Sequence, residues 1–593
     1  MDAALENRVS EILNAIKTWS QDVPDFQFMD PVVKMMLVAL SYESQKIQDS
    51  IDGIGPRILD KYCEDFIPWN QVGAVPAIAV ARPVFKDLTL ADSVVVGDDD
   101  ISFTGKGDKL NWLPLIKTLA IPVQECCLVS PGMYRSGTDS RPVQMEQKNV
   151  LWMGLRTPVE LESLKGLSLL FHGTRGIAPE KIVVGEDPAH ELMWASMNRM
   201  EDLEMPEPFD SQQASGRFFS VLTAWKEAFD YLDNDALVYI TDPVRDRDLF
   251  KPKSFPRVFQ YFLESDVIDL IQEGVLWIKA EFPEGFEVPD DCEVIVNAIP
   301  VVNLDVNVTT LTQAVPVVKL QKSEDSYFLG VVQTSNAAGR QGFPSADDEV
   351  IIRDFDAACY HDGDLFRDVR NLYNRFVEDY YAFVEYHGIK DGDLIRQLRE
   401  TVNKIGKSVG TANSRYSFDS GTYAMKNMSA SSPASVIKIS YLTTRGRVGN
   451  ALVRGSVLEC KKLTAVKEME VVVPAMCGKD KVSVDEKYEL LRYHALTQDR
   501  LYTRMDIDAF LRKEIMAFFG KQEFRRIDIR ITMGGAGGSE GLCRGLYIDI
   551  LFKDKKNYER ARAGAFGLKM QNAIRHRSCI AMPLSVELVN LES

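Results

Sequence analysis

The sequence predicts an α+β multidomain protein: N-terminal helices, β-rich central modules, a helical segment and an α+β C-terminal domain. Three observations lead there. Residues 30–58 carry apolar side chains mostly at steps of three, four and seven, which is a helical stripe. Residues 76–335 break into short apolar runs of strand character between Gly, Pro and Asp. Residues 436–593 mix both patterns. The 593 residues also exceed the roughly 250–300 at which a single hydrophobic core stops growing. We divide the chain at 1–75, 76–335, 336–435 and 436–593.

In the first segment Asp30 before Pro31 marks a helix start, with the aspartate as N-cap and proline at the first helical position. The stripe that follows is Val33, Met36, Leu37, Leu40, Ile47, Ile51, Ile54 and Ile58. Gly53, Gly55 and Pro56 break the helix, which places Ile58 in a second one. A stripe so long and narrow suits a bundle or a partner helix as well as a domain core.

The second segment holds AIAVARPVF, SVVVGDD, CCLVSPGMY, KNVLWMGLR and LSLLFHG, then helical patterns near 188–204 and 212–232. FPRVFQYF, a helix-like VIDLIQEG, VLWIKAEF and CEVIVNAIPVVNLDVNV follow, and together they predict one or two sandwiches or barrels. Within NAIPVVNLDVNV, Pro300 lacks a donor and is expected to end a ladder at a sheet edge. Asn303 is expected to bond local backbone at a turn, so that the stretch makes a corner between two β modules.

Residues 363–405 are helical by pattern, with Phe366, Val369, Leu372, Tyr373, Phe376, Tyr380 and Phe383 on one face. Residues 406–435, rich in Ser, Gly, Asn and Thr, read as a mobile linker. In the last segment ASVIKISYLT and EMEVVVPAM read as strands and YTRMDIDAFLRKEIMAFFG as a helix. FRRIDIRITM and LCRGLYIDILF form a hairpin around GGAGGSEG.

A net charge of −17 repels nucleic-acid phosphates and anionic lipid alike, so neither is an expected partner. The start lacks a basic stretch leading into an apolar run. The longest apolar runs, such as MMLVAL, fall far short of the roughly 20 residues that span a bilayer. The nine cysteines are scattered and never spaced C-x-x-C, as reduced thiols of a cytoplasmic protein are.

Motifs that carry chemistry are lacking. GGAGGSEG runs from strand to strand with no lysine after it, unlike a phosphate loop. His190-Glu191 has no second histidine four residues on, and the six histidines stand far apart. Cys126 and Cys127 fall on opposite faces of a strand and make poor joint ligands. Asp98, Asp99 and Asp100 lack the alternating oxygens of a calcium loop, and no G-x-S-x-G is present. We therefore assign no catalytic, cofactor-binding or metal residue and expect no cofactor.

Five landmarks, in order, resemble the TssF family of type VI secretion baseplate wedge subunits. They are DPVVKMMLVALSYESQKIQDSIDGIGPRILDKYCEDFIP leading into AVPAIAVARP, then SFPRVFQYF, NAIPVVNLDVNVTTL, SYFLGVV and YLTTRGRVGNALVRGSVL. Asp305 stands where the family usually has Phe, the first 20 residues lack the usual Tyr- and Glu-rich opening, and the last 100 match poorly. That pattern is similar to a divergent, Bacteroidetes-like branch. The resemblance implies a structural protein without enzymatic activity, cytoplasmic and docked at the inner face of the membrane through the assembled baseplate. It implies two copies joined to TssG, with TssE, TssK and the VgrG spike as further partners, and the eight stripe residues as a subunit interface. The alternatives are a wedge protein of a phage tail or extracellular contractile particle and, in another class, a cytosolic metal-dependent enzyme.

Overall fold

A computed structural model describes residues 3–19, 26, 30–52, 62, 73–196 and 235–590, apart from 89–91, 98–101, 108, 138, 175, 242–247, 252–254, 272–273, 322, 324, 337–340, 343–349, 356–363, 381–391, 413–420, 427–435, 461, 483, 498–499, 520–523, 536–541, 564–565 and 580–581. The expected helix at 212–232 and the tip of the glycine-rich hairpin lie outside the described residues. Helices and strands in several separate sheets make this an α+β multidomain protein. Two compact units are present: Met1–Phe66 with Ile352–Ala424, and Ile67–Ile351 with Met425–Ser593.

In the first unit the helices Ala3–Trp19 and Pro31–Asp52 pack together. Asp30 caps the second, its Oδ1 accepting from Val32 N at 2.8 Å. Val9, Leu13 and Leu37 are buried between them with Phe26 and Val38 alongside. Ser41, also buried, donates to Leu37 O at 2.7 Å. The helices Asp364–Asp379 and Gly392–Ala412 form a second pair. There the expected face is split, with Tyr380 buried but Leu372 and Phe376 exposed, while Phe383 lies outside the described residues.

The linker expected at 406–435 is corrected at 406–412 and 421–426, while 413–420 and 427–435 lie outside the described residues. Residues 406–412 continue the helix to Ala412, and Gly421–Lys426 is a strand. Glycine costs a helix about 1 kcal/mol, yet buried Ile395 and Val402, seven apart, anchor this one. Alternating burial of Thr422, Ala424 and Lys426 fixes the strand.

The second unit is organised around a closed six-stranded barrel, in the order Ile78–Phe85, Ile299–Asn303, Asn111–Pro114, Phe103–Gly105, Val457–Cys460 and Val466–Met476. Ala77, Ala79 and Ala81 point inward with Phe103, Trp112, Ile299, Val301 and Val471. Their small side chains leave room for the two large rings. Ile78 and Val80 point outward into a second apolar cluster with Leu170, Leu237, Tyr239 and Ile295. The run AIAVA is thus apolar at every position because both of its faces are buried.

Leu170, Leu237 and Ile295 belong to a four-stranded sheet of Trp194–Ser196, Asp235–Ile240, Ser168–His172 and Glu293–Val296. Its opposite face, with Leu169, Phe171, Val238 and Val294, packs on a seven-stranded sheet through Leu151, Met153, Ile182 and Ile278, making a sandwich. The far side of the seven-stranded sheet is covered by the turn Arg257–Tyr261 and the helix Ser265–Ile271. Phe259 sits there edge-on to Trp152 and Trp277 at 5.4 and 4.8 Å between ring centres. Cys126 joins the sandwich core and Cys127 the outer cluster, on opposite faces as expected.

The helix expected from 188 is corrected too. Pro188–His190 is a single tight turn, and Glu191–Leu192 and Trp194–Ser196 are edge strands of the two sheets. Ladder pairing and burial of Leu192 and Ala195 outweigh the local helical pattern.

The C-terminal part has its own sheet. Phe524–Gly535 and Leu542–Phe552 form the expected hairpin, and Leu584–Asn590 joins it in parallel. Lys555–Ala563 and Phe566–Arg577 make the crossover between the parallel strands. Together with Arg504–Phe519 they enclose Phe510, Ile515, Ile548, Phe552, Met570 and Ile574.

Candidate functional site

NAIPVVNLDVNV contains two corners. Glu293–Val296 belongs to the sandwich, Ile299–Asn303 to the barrel and Asp305–Thr312 to another four-stranded sheet. The first corner is Asn297, at φ 59°, a left-handed conformation that asparagine tolerates better than most residues. Its Oδ1 accepts from Ile121 N at 3.0 Å and its Nδ2 donates to Ile121 O at 2.7 Å.

The second corner is Asn303, 2% exposed. Its Nδ2 donates to Asn111 O at 2.9 Å, its Oδ1 accepts from Arg445 N at 3.1 Å, and its carbonyl accepts from Thr444 Oγ1 at 2.9 Å. Asn303 N donates to Ala77 O at 2.8 Å. The expected local turn bonding is thereby corrected, because the partners stand 192 and 142 positions away along the chain. Asp305 extends the cluster, its Oδ1 2.5 Å from Asn111 Nδ2 and its Oδ2 3.9 Å from Arg445 Nε.

Pro300 is likewise corrected, since it lies inside the barrel opposite Val80 rather than at a sheet edge. Its carbonyl accepts from Leu115 N at 2.9 Å. Its missing donor therefore faces the strand Asn111–Pro114, where pairing stops at Val301 and Pro114. One ladder does end there, within a closed sheet.

The loop after Thr444 closes over this junction on three tight glycines. A Cβ on Gly449 would stand 2.7 Å from Ala77 Cβ, one on Gly446 2.5 Å from Asp480 Oδ1, and one on Gly478 2.3 Å from Gly446 O. Asn450 and Gly478 exchange hydrogen bonds of 2.8 and 2.9 Å. Because the obstacle at Gly478 is backbone, Gly478→Ala should cost about 1–3 kcal/mol, read as a lower urea midpoint with an unchanged slope. AVPAIAVARP, NAIPVVNLDVN and YLTTRGRVGN thus meet at one end of the barrel, while SYFLGVV pairs with YLTT through Tyr327–Asn336.

The stripe residues are distributed unevenly. Leu37 is buried against the first helix, whereas Val33, Met36 and Leu40 are 47%, 69% and 59% exposed. At about 100° per residue these three share a face rotated from the one that Leu37 and Ser41 turn inward. Neighbouring Val32 and Met35 are exposed as well. Ile47 and Ile51 lie within the helix, and Ile54 and Ile58 lie outside the described residues.

One cluster resembles an acid–base site. His172 Nδ1 lies 2.5 Å from Asp235 Oδ1, and Gly173, next in the chain, is beside Cys292. Burial raises the Asp235 carboxyl against the pull of His172. Burial also pushes the thiols of Cys292 and Cys126 to about 12, so neither is a nucleophile near neutral pH. Among the described residues no three His, Cys, Asp or Glu side chains are grouped to hold a metal ion, and no helix is long and apolar enough to cross a membrane.

No protein-family model matches the chain, and no curated protein matches it. Among solved structures, it is similar to a chain in the cryo-electron microscopy structure of the type VI secretion system TssK-TssF-TssG baseplate subcomplex. That match has 10% identity and a TM-score of 0.40, covering 94% of this chain and 97% of that one.

Proposed function

We propose that this protein is a structural wedge subunit of a type VI secretion baseplate, of the TssF kind. Two copies join TssG around the VgrG spike, with TssE and TssK as further contacts, and the assembled plate docks at the inner face of the cytoplasmic membrane. The family part of this reading rests on the ordered sequence landmarks, three of which share the barrel junction. A scaffold built from such landmarks needs no catalytic group.

The observation that carries the assembly role is the face of Val33, Met36 and Leu40. Large apolar side chains on consecutive turns, left in water by their own hairpin, make a seam for a partner helix. In this reading Ile47, Ile51, Ile54 and Ile58 extend the seam and Leu37 anchors it to the first helix.

Co-expression with TssG tests the assignment. The wild-type chain is expected to co-purify with TssG. Met36→Asp with Leu40→Asp should reduce recovery by at least about tenfold, because buried carboxylates are costly. The thermal transition should hold, since both sites are exposed in the free protein. The complex surviving the double substitution at full yield removes the seam from the proposal.

A further inference from the structure

The barrel and the C-terminal α/β part each have an apolar core, and the two cores do not merge. Every buried member of the C-terminal cluster lies at or after Tyr493, and the barrel clusters end at Cys477. Among the described residues no ladder joins the sheet of 524–535, 542–552 and 584–590 to the barrel. What lies between them is a cavity of about 60 Å³ with a largely apolar lining that includes Val75, Leu490 and Met516, together with the charged Lys479, Glu486 and Lys513. At about 10–15 Å³ per site it has room for several waters.

The barrel side is held firmly. Val75 and Lys479 exchange backbone bonds of 2.8 and 2.9 Å, and Asp480 Oδ1 accepts from Arg447 N at 2.8 Å. Charged links cross the seam. Lys479 Nζ stands 3.8 Å from Glu514 Oε2 and 5.9 Å from the Phe518 ring centre, and Arg447 reaches Glu486 at 3.8 Å. Separately cored bodies that meet across a cavity, with ion pairs beside it, are freer to move than parts fused in one core.

We propose that residues 484–590 form a body latched to the barrel by these ion pairs, able to turn about the short connection after Asp480 once the latch opens. The proposal is independent of the secretion reading, because it uses only the seam. The body moves as a unit since its own core is complete.

The test uses the full chain with Lys479→Met and Glu486→Gln, which removes one charge from each pair across the seam while Arg447 keeps Asp480 at 3.2 Å and Glu514 keeps Lys513 at 3.2 Å. Trypsin cleavage after Lys481 should accelerate by at least about tenfold, while amide exchange in 542–552 stays as slow as in the wild type. An unchanged cleavage rate overturns the proposal. So does faster exchange in 542–552 alongside the cleavage, which would mean that the α/β core depends on the barrel. Should the double variant not accumulate, Glu486→Gln alone is subject to the same two readouts, with a smaller acceleration expected.

Discussion

Replacing Glu514 by Gln should destabilise the C-terminal α/β domain by about 3–5 kcal/mol, the range for breaking a buried ion pair from one side. Glu514 is 3% exposed, with Lys513 Nζ at 3.2 Å and Lys479 Nζ at 3.8 Å. The near-isosteric amide removes the carboxylate charge that Lys479 and Lys513 face, at a side chain that is itself buried. Burial alone would raise the Glu514 carboxyl, but Lys479, Lys513 and Arg577 overcome it and hold the group at about 2.

The direction of the pH dependence follows. A folded value below the unfolded one, about 4.3 for glutamate, contributes stability that is fully present above pH ~4.3 and is lost as pH falls towards 2. Urea unfolding from pH 7 down to 2.5, followed by near-ultraviolet circular dichroism, should show wild type and Glu514→Gln converging at the acid end. Parallel curves across the whole range would remove Glu514 as the source.

The second large effect belongs to Asn303. Asn303→Ala removes one donor and one acceptor from a site with almost no access to water. It orphans Asn111 O and Arg445 N. Each buried unpaired group costs about 1–3 kcal/mol, so the sum should fall near 2–6 kcal/mol. Asn303→Asp keeps the acceptor for Arg445 N but loses the donor and brings a carboxylate near Asp305, so it should not restore stability. The Asn303→Ala loss should appear in the barrel's transition and leave exchange in 542–552 untouched. An Ala variant as stable as the wild type would mean that the corner is held by its neighbours alone.

Local signals were legible wherever the structure is local. Asp30-Pro31 gave the helix start, and the alternation on either side of GGAGGSEG gave the hairpin, because caps and two-residue periods are read from adjacent positions. The corner in NAIPVVNLDVNV was legible as a break but not as a junction. Nothing near Asn303 in sequence marks Asn111 or Arg445 as its partners. Pro300 was misplaced for the same reason: an absent donor suits an edge or the end of a ladder inside a barrel equally well.

Residues 406–412 show the opposite failure, in which composition pointed to a loop while buried Ile395 and Val402 held the helix. The stripe from Val33 to Ile58 was legible as a pattern, but periodicity does not say which side a neighbour covers. Only the packing of the first helix separates inward Leu37 from exposed Met36 and Leu40.

The barrel closes by pairing a strand from the beginning of the second unit with one near its end, and the bond between Arg82 and Glu470 spans 388 positions. On a ribosome adding about 5–20 residues per second, the earlier strand waits on the order of 20–80 s for its mate to emerge. Until then the edge of AIAVA that pairs with Val466–Met476 is raw backbone, the kind of surface that aggregates or recruits chaperones. Closure of the barrel is thus paced by translation, and a chain that ends before Val466 lacks the strand that completes it.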